Sequence, residues 1–226
     1  DLHYPLRRQR QMCIRDRPIT ENQQETFSAW KGGDNLVLNG SAGTGKTFMS
    51  LYLGLNAVFG KTDYKKLVII RSVVPTRDLG FLPGTVEEKL SAFETPYQQM
   101  CTELFNDKNS YETLKTKHQI EFLSTSYIRG TTFNNSILII DECQNLTFHE
   151  LDSIITRVGN NCRIIFCGDY YQSDFKQLKD KAGIIEFINI IEHLNSFSVI
   201  EFDWKDIVRS DFVRDYIMTK EMLEKK

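Results

Sequence analysis

No apolar run in these 226 residues approaches the roughly 18–20 that a membrane-spanning helix requires, and the first residues lack the apolar stretch of a secretory signal. The expectation is a soluble, cytoplasmic protein with no membrane partner. Five cysteines (Cys13, Cys101, Cys143, Cys162 and Cys167) form no C-x-x-C pair, and four histidines (His3, His118, His149 and His193) are scattered without zinc-ligand spacing. Neither a disulfide framework nor a metal knuckle is indicated. The net charge of −2 offers no overall attraction to a polyanion, so any nucleic-acid binding must come from a local patch. Repeats, low-complexity tracts and Pro/Gly/Ser-rich linkers are also missing. What remains, 41% hydrophobic and 12% aromatic, is enough to bury one sizeable core.

The start of the chain stands apart. Residues 7–17, RRQRQMCIRDR, carry five arginines with no amphipathic period. A basic arm that grips nucleic acid is one reading. The segment MCIRDR also resembles the in-frame translation of a transposon-end adapter used in DNA library preparation, which makes residues 1–17 a non-native arm to be set aside. The expected domain is then 18–226, a single unit and mildly acidic.

From Pro18 onward, apolar runs alternate with helical patterns. LVLNG (36–40), KLVIIRSV (66–73), IEFLSTSYI (120–128), SILIIDE (136–142), CRIIFCGD (162–169) and FSVIEF (197–202) read as strands covered on both faces. FMSLYLGLNAVF (48–59), FHELDSIITRV (148–158) and AGIIEFINIIEHL (182–194) have helical spacing. The fold class is α/β, an open, doubly wound, mostly parallel sheet with helices on both faces. Residues 75–119 depart from the alternation and read as an inserted loop with one or two helices.

GSAGTGKT (40–47) lies between a strand and a helix, the context in which G-x-x-x-x-G-K-T binds phosphate. Gly40, Gly43 and Gly45 let the backbone wrap, so that the amides of the loop, Ser41, Ala42 and Thr44 included, point inward at the positive end of the following helix. Lys46 is expected to reach the β- and γ-phosphates and Thr47 to offer its hydroxyl to Mg²⁺. ILIIDE ends a strand in Asp141 and Glu142, one suited to the magnesium shell and the other to deprotonating an attacking water. In CGDYYQSD a third strand ends at Asp169, and Gln172 follows at a distance suited to the γ-phosphate or the water. Adjacent magnesium and catalytic acids favour hydrolysis over small-molecule kinase chemistry, which would need an arginine-rich lid.

Taken together, PITENQQETF, GSAGTGKT, RSVVPTRDLGFLPGTVEEK, YIRGTTFNNSILIIDECQN, CGDYYQSD and DIVRSDFVRDYI resemble the PhoH-like ATPases, relatives of superfamily 1 helicases, in the short form typical of bacteriophages. The resemblance covers about residues 18–217 and implies a RecA-like P-loop NTPase fold. It further implies that Gln23 reads the adenine edge, so that ATP is the nucleotide, and that Gln172 is the γ-phosphate sensor. Arg129 and Arg209 match characteristic arginines, with Arg209 favoured as the one that reaches the γ-phosphate. Arg71, Ser72 and Thr76 stand where such relatives contact a nucleic-acid backbone. Ser126, Tyr127, Thr131 and Thr132 are weaker candidates for the same groove, and Tyr170 and Tyr171 for base stacking. A single lobe implies help from a neighbouring subunit, and the resemblance favours a ring-like homo-oligomer, within a bacterial host where the protein is phage-encoded.

The leading expectation is therefore an ATP hydrolase that couples turnover to RNA or single-stranded DNA remodelling. The competing one is a nucleotide-gated protein-binding module with little turnover of its own.

Overall fold

The computed structural model describes residues 18–60, 62–72, 86–128, 130–169 and 178–224, and their side chains except those of 86–90, 178–182 and 224. Six strands, β1 (Asn35–Gly40), β2 (Lys66–Arg71), β3 (Ile120–Ser124), β4 (Ser136–Asp141), β5 (Cys162–Gly168) and β6 (Phe197–Phe202), form one sheet in the order β3-β2-β4-β5-β1-β6. Every pairing is parallel. The helices are α1 (Glu21–Gly32), α2 (Lys46–Phe59), α3 (Val86–Phe105), α4 (Ser110–Thr116), α5 (Phe148–Ile155), α6 (Leu178–Glu192) and α7 (Asp211–Glu224).

The continuous apolar strands have the cause expected of them: both faces of the sheet are covered. Along β1, Leu36 and Leu38 join the layer under α1 to α4, while Val37 joins the layer under α5 and α6. The same alternation sends Leu67 and Ile69 one way and Val68 and Ile70 the other. Each fully buried Leu or Ile contributes about 1.5–3 kcal/mol relative to exposure, so two-sided burial, more than strand propensity, holds the sheet. Cys143 and Cys167 are buried within these layers as small apolar side chains.

One segment differs from the sequence expectation. The run read as a strand over 120–128 pairs only as far as Ser124, whose hydroxyl accepts from the Ser126 amide at 3.4 Å and starts a 3-10 turn at Thr125–Tyr127. Within 75–119 stand the two helices α3 and α4, and Tyr97, Cys101, Leu104 and Phe105 of α3 enter the same core as β1 and β2.

Local chemistry sets the helix ends that matter for the site. Thr20 caps α1 by accepting from the Gln23 amide at 3.3 Å, and Gly33 closes it in a left-handed conformation. Thr147 and Glu150 form a reciprocal capping box at the start of α5. No helix among the described residues is long and apolar enough to cross a membrane.

Candidate active site

Because the sheet is parallel, the carboxyl ends of all six strands share one edge, and the candidate residues gather there. β1 ends at Gly40, paired with Phe202 of β6. A Cβ on Gly40 would lie 2.7 Å from the Phe202 carbonyl carbon and nearer still to its oxygen, so this glycine is required by strand approach as well as by the loop. Gly43 and Gly45 turn the chain at φ 82° and 84°, in the left-handed region where other residues are strained. Thr44 is fully buried and donates to the Ser41 carbonyl at 3.0 Å, while Ala42 is exposed at the loop's tip.

Lys46 opens α2 and folds back into the loop. Its Nζ donates to the carbonyls of Gly40 at 2.6 Å and Ser41 at 2.8 Å, and to Thr44 Oγ1 at 3.2 Å. Burial lowers the Lys46 pKa, against the opposing pull of Cys167, Asp169, Glu142 and Asp141. An ammonium held this way is partly desolvated and ready to exchange neutral carbonyls for phosphate oxygens.

Thr47, one residue on, donates from Oγ1 to Asp141 Oδ1 at 2.8 Å. The other carboxylate oxygen, Oδ2, accepts from the Tyr97 hydroxyl at 2.7 Å. Burial pushes the Asp141 carboxyl up. The hydrogen bond from Tyr97 opposes that, Glu142 adds to it, and Thr47 and Arg71 oppose it. Arg71, opposite Asp141 in the β2–β4 ladder, faces this acid and the Tyr97 phenol. Burial works against its charge, but Tyr97, Asp141 and Glu142 outweigh it and its pKa is raised.

Glu142 adopts φ 52°, a left-handed backbone that costs a non-glycine residue roughly 1–2 kcal/mol and turns the chain off the strand end. Its Oε2 accepts from Gln144 Nε2 at 2.6 Å, and Gln144 Oε1 accepts from the Asp169 amide at 3.2 Å. One buried amide therefore ties the end of β4 to the end of β5. It fits because Gly168 has no side chain: a Cβ there would stand 2.6 Å from Gln144 Oε1 and from Cys143 Sγ.

Gln23 is buried beside the loop, with Nε2 donating to the Thr44 carbonyl at 3.4 Å and Oε1 accepting from the Ile19 amide at 2.8 Å. Arg209 is exposed but lies over the loop of its own chain, its Cγ 3.1 Å from where a Gly43 Cβ would be. The Val208 amide donates to the Gly43 carbonyl at 3.1 Å, and Ile217 of α7 also reaches Gly43.

The structure thus brings together Gln23, the whole loop 40–47, Asp141, Glu142 and Arg209, with Arg71 beside the acid. Ser72 follows at the end of β2, its hydroxyl buried with no hydrogen-bond partner among the described residues. Ser126, Tyr127, Thr131 and Thr132 are exposed, and Ser126 lines a groove of about 870 Å³ with Thr125, Thr147, Glu150 and Arg157. Thr76, Arg129, Gln172, Tyr170 and Tyr171 lie outside the described residues, as does the arm at 1–17.

The sequence reading missed Tyr97 and Gln144. Gln144 had a signal, a polar residue just past two strand-ending acids; Tyr97 had none, being 44 positions from its partner. Among the described residues no group of three or more His, Cys, Asp or Glu is placed to hold a metal ion by itself. One carboxylate and one hydroxyl fit a hard, oxygen-preferring cation such as Mg²⁺ or Mn²⁺, which keeps waters and phosphate oxygens in its shell, and do not fit a thiophilic or imidazole-preferring metal such as zinc. The glycine turns, the inward lysine and the Thr47–Asp141 pair likewise fit a nucleotide's phosphates.

A family model described as PhoH-like protein matches residues 16–221. Protein PhoH2 of Bacillus subtilis (strain 168) is 41% identical over 147 residues, 63% of this chain and 33% of that protein. The PhoH-like protein of Mycobacterium leprae (strain TN) is 30% identical over 202 residues, 89% of this chain and 57% of that protein. The chain therefore spans about a third to three-fifths of the length of these bacterial relatives. Among solved structures, the Pyrococcus furiosus Hef helicase domain aligns with a TM-score of 0.45 and 14% identity, over 85% of this chain and 40% of that one, a likeness too distant to carry any argument.

Proposed function

Because this chain belongs to the PhoH family, we propose that it is a magnesium-dependent ATP hydrolase whose turnover is coupled to binding or remodelling RNA or single-stranded DNA. The observation that carries the reading is the 2.8 Å hydrogen bond from Thr47 to Asp141, which joins the phosphate loop to the acid-bearing strand.

The loop amides and Lys46 bind the phosphates, and Thr47 and Asp141 hold the metal. A magnesium ion held there would supply positive charge against the phosphates. Glu142 takes a proton from the attacking water; Gln144 holds its Oε2 and so leaves Oε1 for that task. Gln23, whose amide rests on the Thr44 carbonyl and the Ile19 amide, would exchange these partners for the adenine edge. Arg209 supplies positive charge at the loop from the same chain, and the family's roles for Gln172, as γ-phosphate sensor, and Arg129 are carried in the same proposal. Ser72 and Thr76 contact the nucleic-acid backbone, while Arg71, turned toward Tyr97 and Asp141, serves the carboxylate. Self-association into a ring belongs to this reading, and sedimentation of the full chain tests it.

The decisive experiment is ATP hydrolysis by the full chain with and without single-stranded RNA and DNA. Severalfold stimulation by one strand is expected. Glu142→Gln should lower turnover about a hundredfold or more while ATP still binds. Hydrolysis indifferent to both strands would sink the coupling. It would favour the second reading, a nucleotide-gated partner module, for which the supporting observation is α7: Ile217 touches the loop at Gly43 while Phe212 and Tyr216 are exposed.

A further inference from the structure

We propose that Tyr97 is a positioning residue for the metal-binding carboxylate: its hydroxyl, delivered by α3, holds Asp141 Oδ2 so that Oδ1 stays turned toward Thr47. The inference rests on the magnesium-dependent reading above and adds to it a residue from a segment otherwise remote from the chemistry.

Three features carry it. The contact is short, 2.7 Å, and closed to water, with Tyr97 1% and Asp141 5% exposed. The ring that carries the phenol is fixed by the core as a whole, of which Phe122, 5.7 Å away between centroids, is one member. Charge favours the same direction: Arg71, opposite Asp141 in the ladder, sets a cation beside the phenol, so the hydroxyl's hydrogen goes to the carboxylate.

A carboxylate with both oxygens engaged has one orientation. Without the Tyr97 hydroxyl, the group is free to rotate and present its oxygens differently to Thr47 and to a cation. Losing such a supporting partner costs metal sites about 10–100-fold in affinity. The position of α3 thereby sets how tightly magnesium is held.

The test is Tyr97→Phe in the full chain, which removes one oxygen and keeps the ring. Mn²⁺ binding in the presence of ADP is followed by electron paramagnetic resonance, and ADP affinity is measured with Mg²⁺ and with EDTA. Mn²⁺ affinity should fall about tenfold or more, with ADP affinity in EDTA unchanged. The Mg²⁺ needed for half-maximal hydrolysis should rise, with kcat recovered at saturating Mg²⁺. Phe122→Leu loosens the same packing without touching the hydroxyl, and it should lower Tm yet leave the Mn²⁺ titration at the wild-type position. The proposal is overturned if Tyr97→Phe lowers Tm without moving the titration, or if Phe122→Leu weakens Mn²⁺ as much. Wild-type chain that binds no Mn²⁺ with ADP would instead overturn the magnesium reading itself, and this proposal with it.

Discussion

The two sides of the site are held by different means. On the loop side the partners are mostly main chain: Lys46 rests on the Gly40 and Ser41 carbonyls, Gln23 on that of Thr44, and Gly40 abuts the backbone of Phe202. On the acid side they are side chains brought from elsewhere: Thr47 and Tyr97 on Asp141, and Gln144 on Glu142. A backbone cradle tolerates little change of residue where it turns or touches, because the shape is the function. A side-chain shell tolerates more, because each member can be lost singly at the cost of about one hydrogen bond.

That contrast predicts a ranking of stability effects. Gly40→Ala should be the most damaging, about 3 kcal/mol, since its methyl meets the Phe202 backbone, which no rotamer change can move aside. A urea midpoint near wild type would break the comparison at its strongest point. Gln144→Ala should cost about 2 kcal/mol, leaving the buried Asp169 amide without its acceptor, again read from the urea midpoint.

Asp141→Asn should have the opposite sign and raise Tm, because burial raises the Asp141 pKa and its charge is therefore a liability of the folded state. The penalty is fully present above the raised folded pKa and fades as pH falls through it toward the unfolded value. The Tm advantage of Asp141→Asn should accordingly shrink on acidification; a gap that widens would refute it. Smallest of all, Arg209→Ala should change stability by no more than about 0.5 kcal/mol, because the side chain is exposed where it crosses the loop at Gly43. A larger loss would mean that the loop side, too, depends on a side-chain partner.

The same division explains what could be read from the sequence. The loop was legible because its geometry needs glycines at fixed offsets, and its strand and helix showed as adjoining apolar patterns. Asp141 and Glu142 were legible because they end an apolar strand. Tyr97 was not, since nothing in FETPYQQM distinguishes a tyrosine aimed at a carboxylate from one filling the core. The over-long reading of β3 failed for a local reason: Ser124 offers the next turn a hydroxyl cap, which competes with the strand's ladder. The place of Arg71 at the end of β2 was readable from its apolar run, but only the sheet order, which sets β4 beside it, turns it toward Asp141.

The strand order also bears on how the molecule comes into being. β1, first along the chain, lies between β5 and β6, the last two, so the loop that follows it is flanked only by strands made much later. Contacts of such long sequence separation form late and slowly. During synthesis, the loop at 40–47 is complete as a string of residues long before Phe202 arrives to sit against Gly40. A nascent chain therefore carries the whole phosphate motif and cannot use it until nearly all of the domain has emerged.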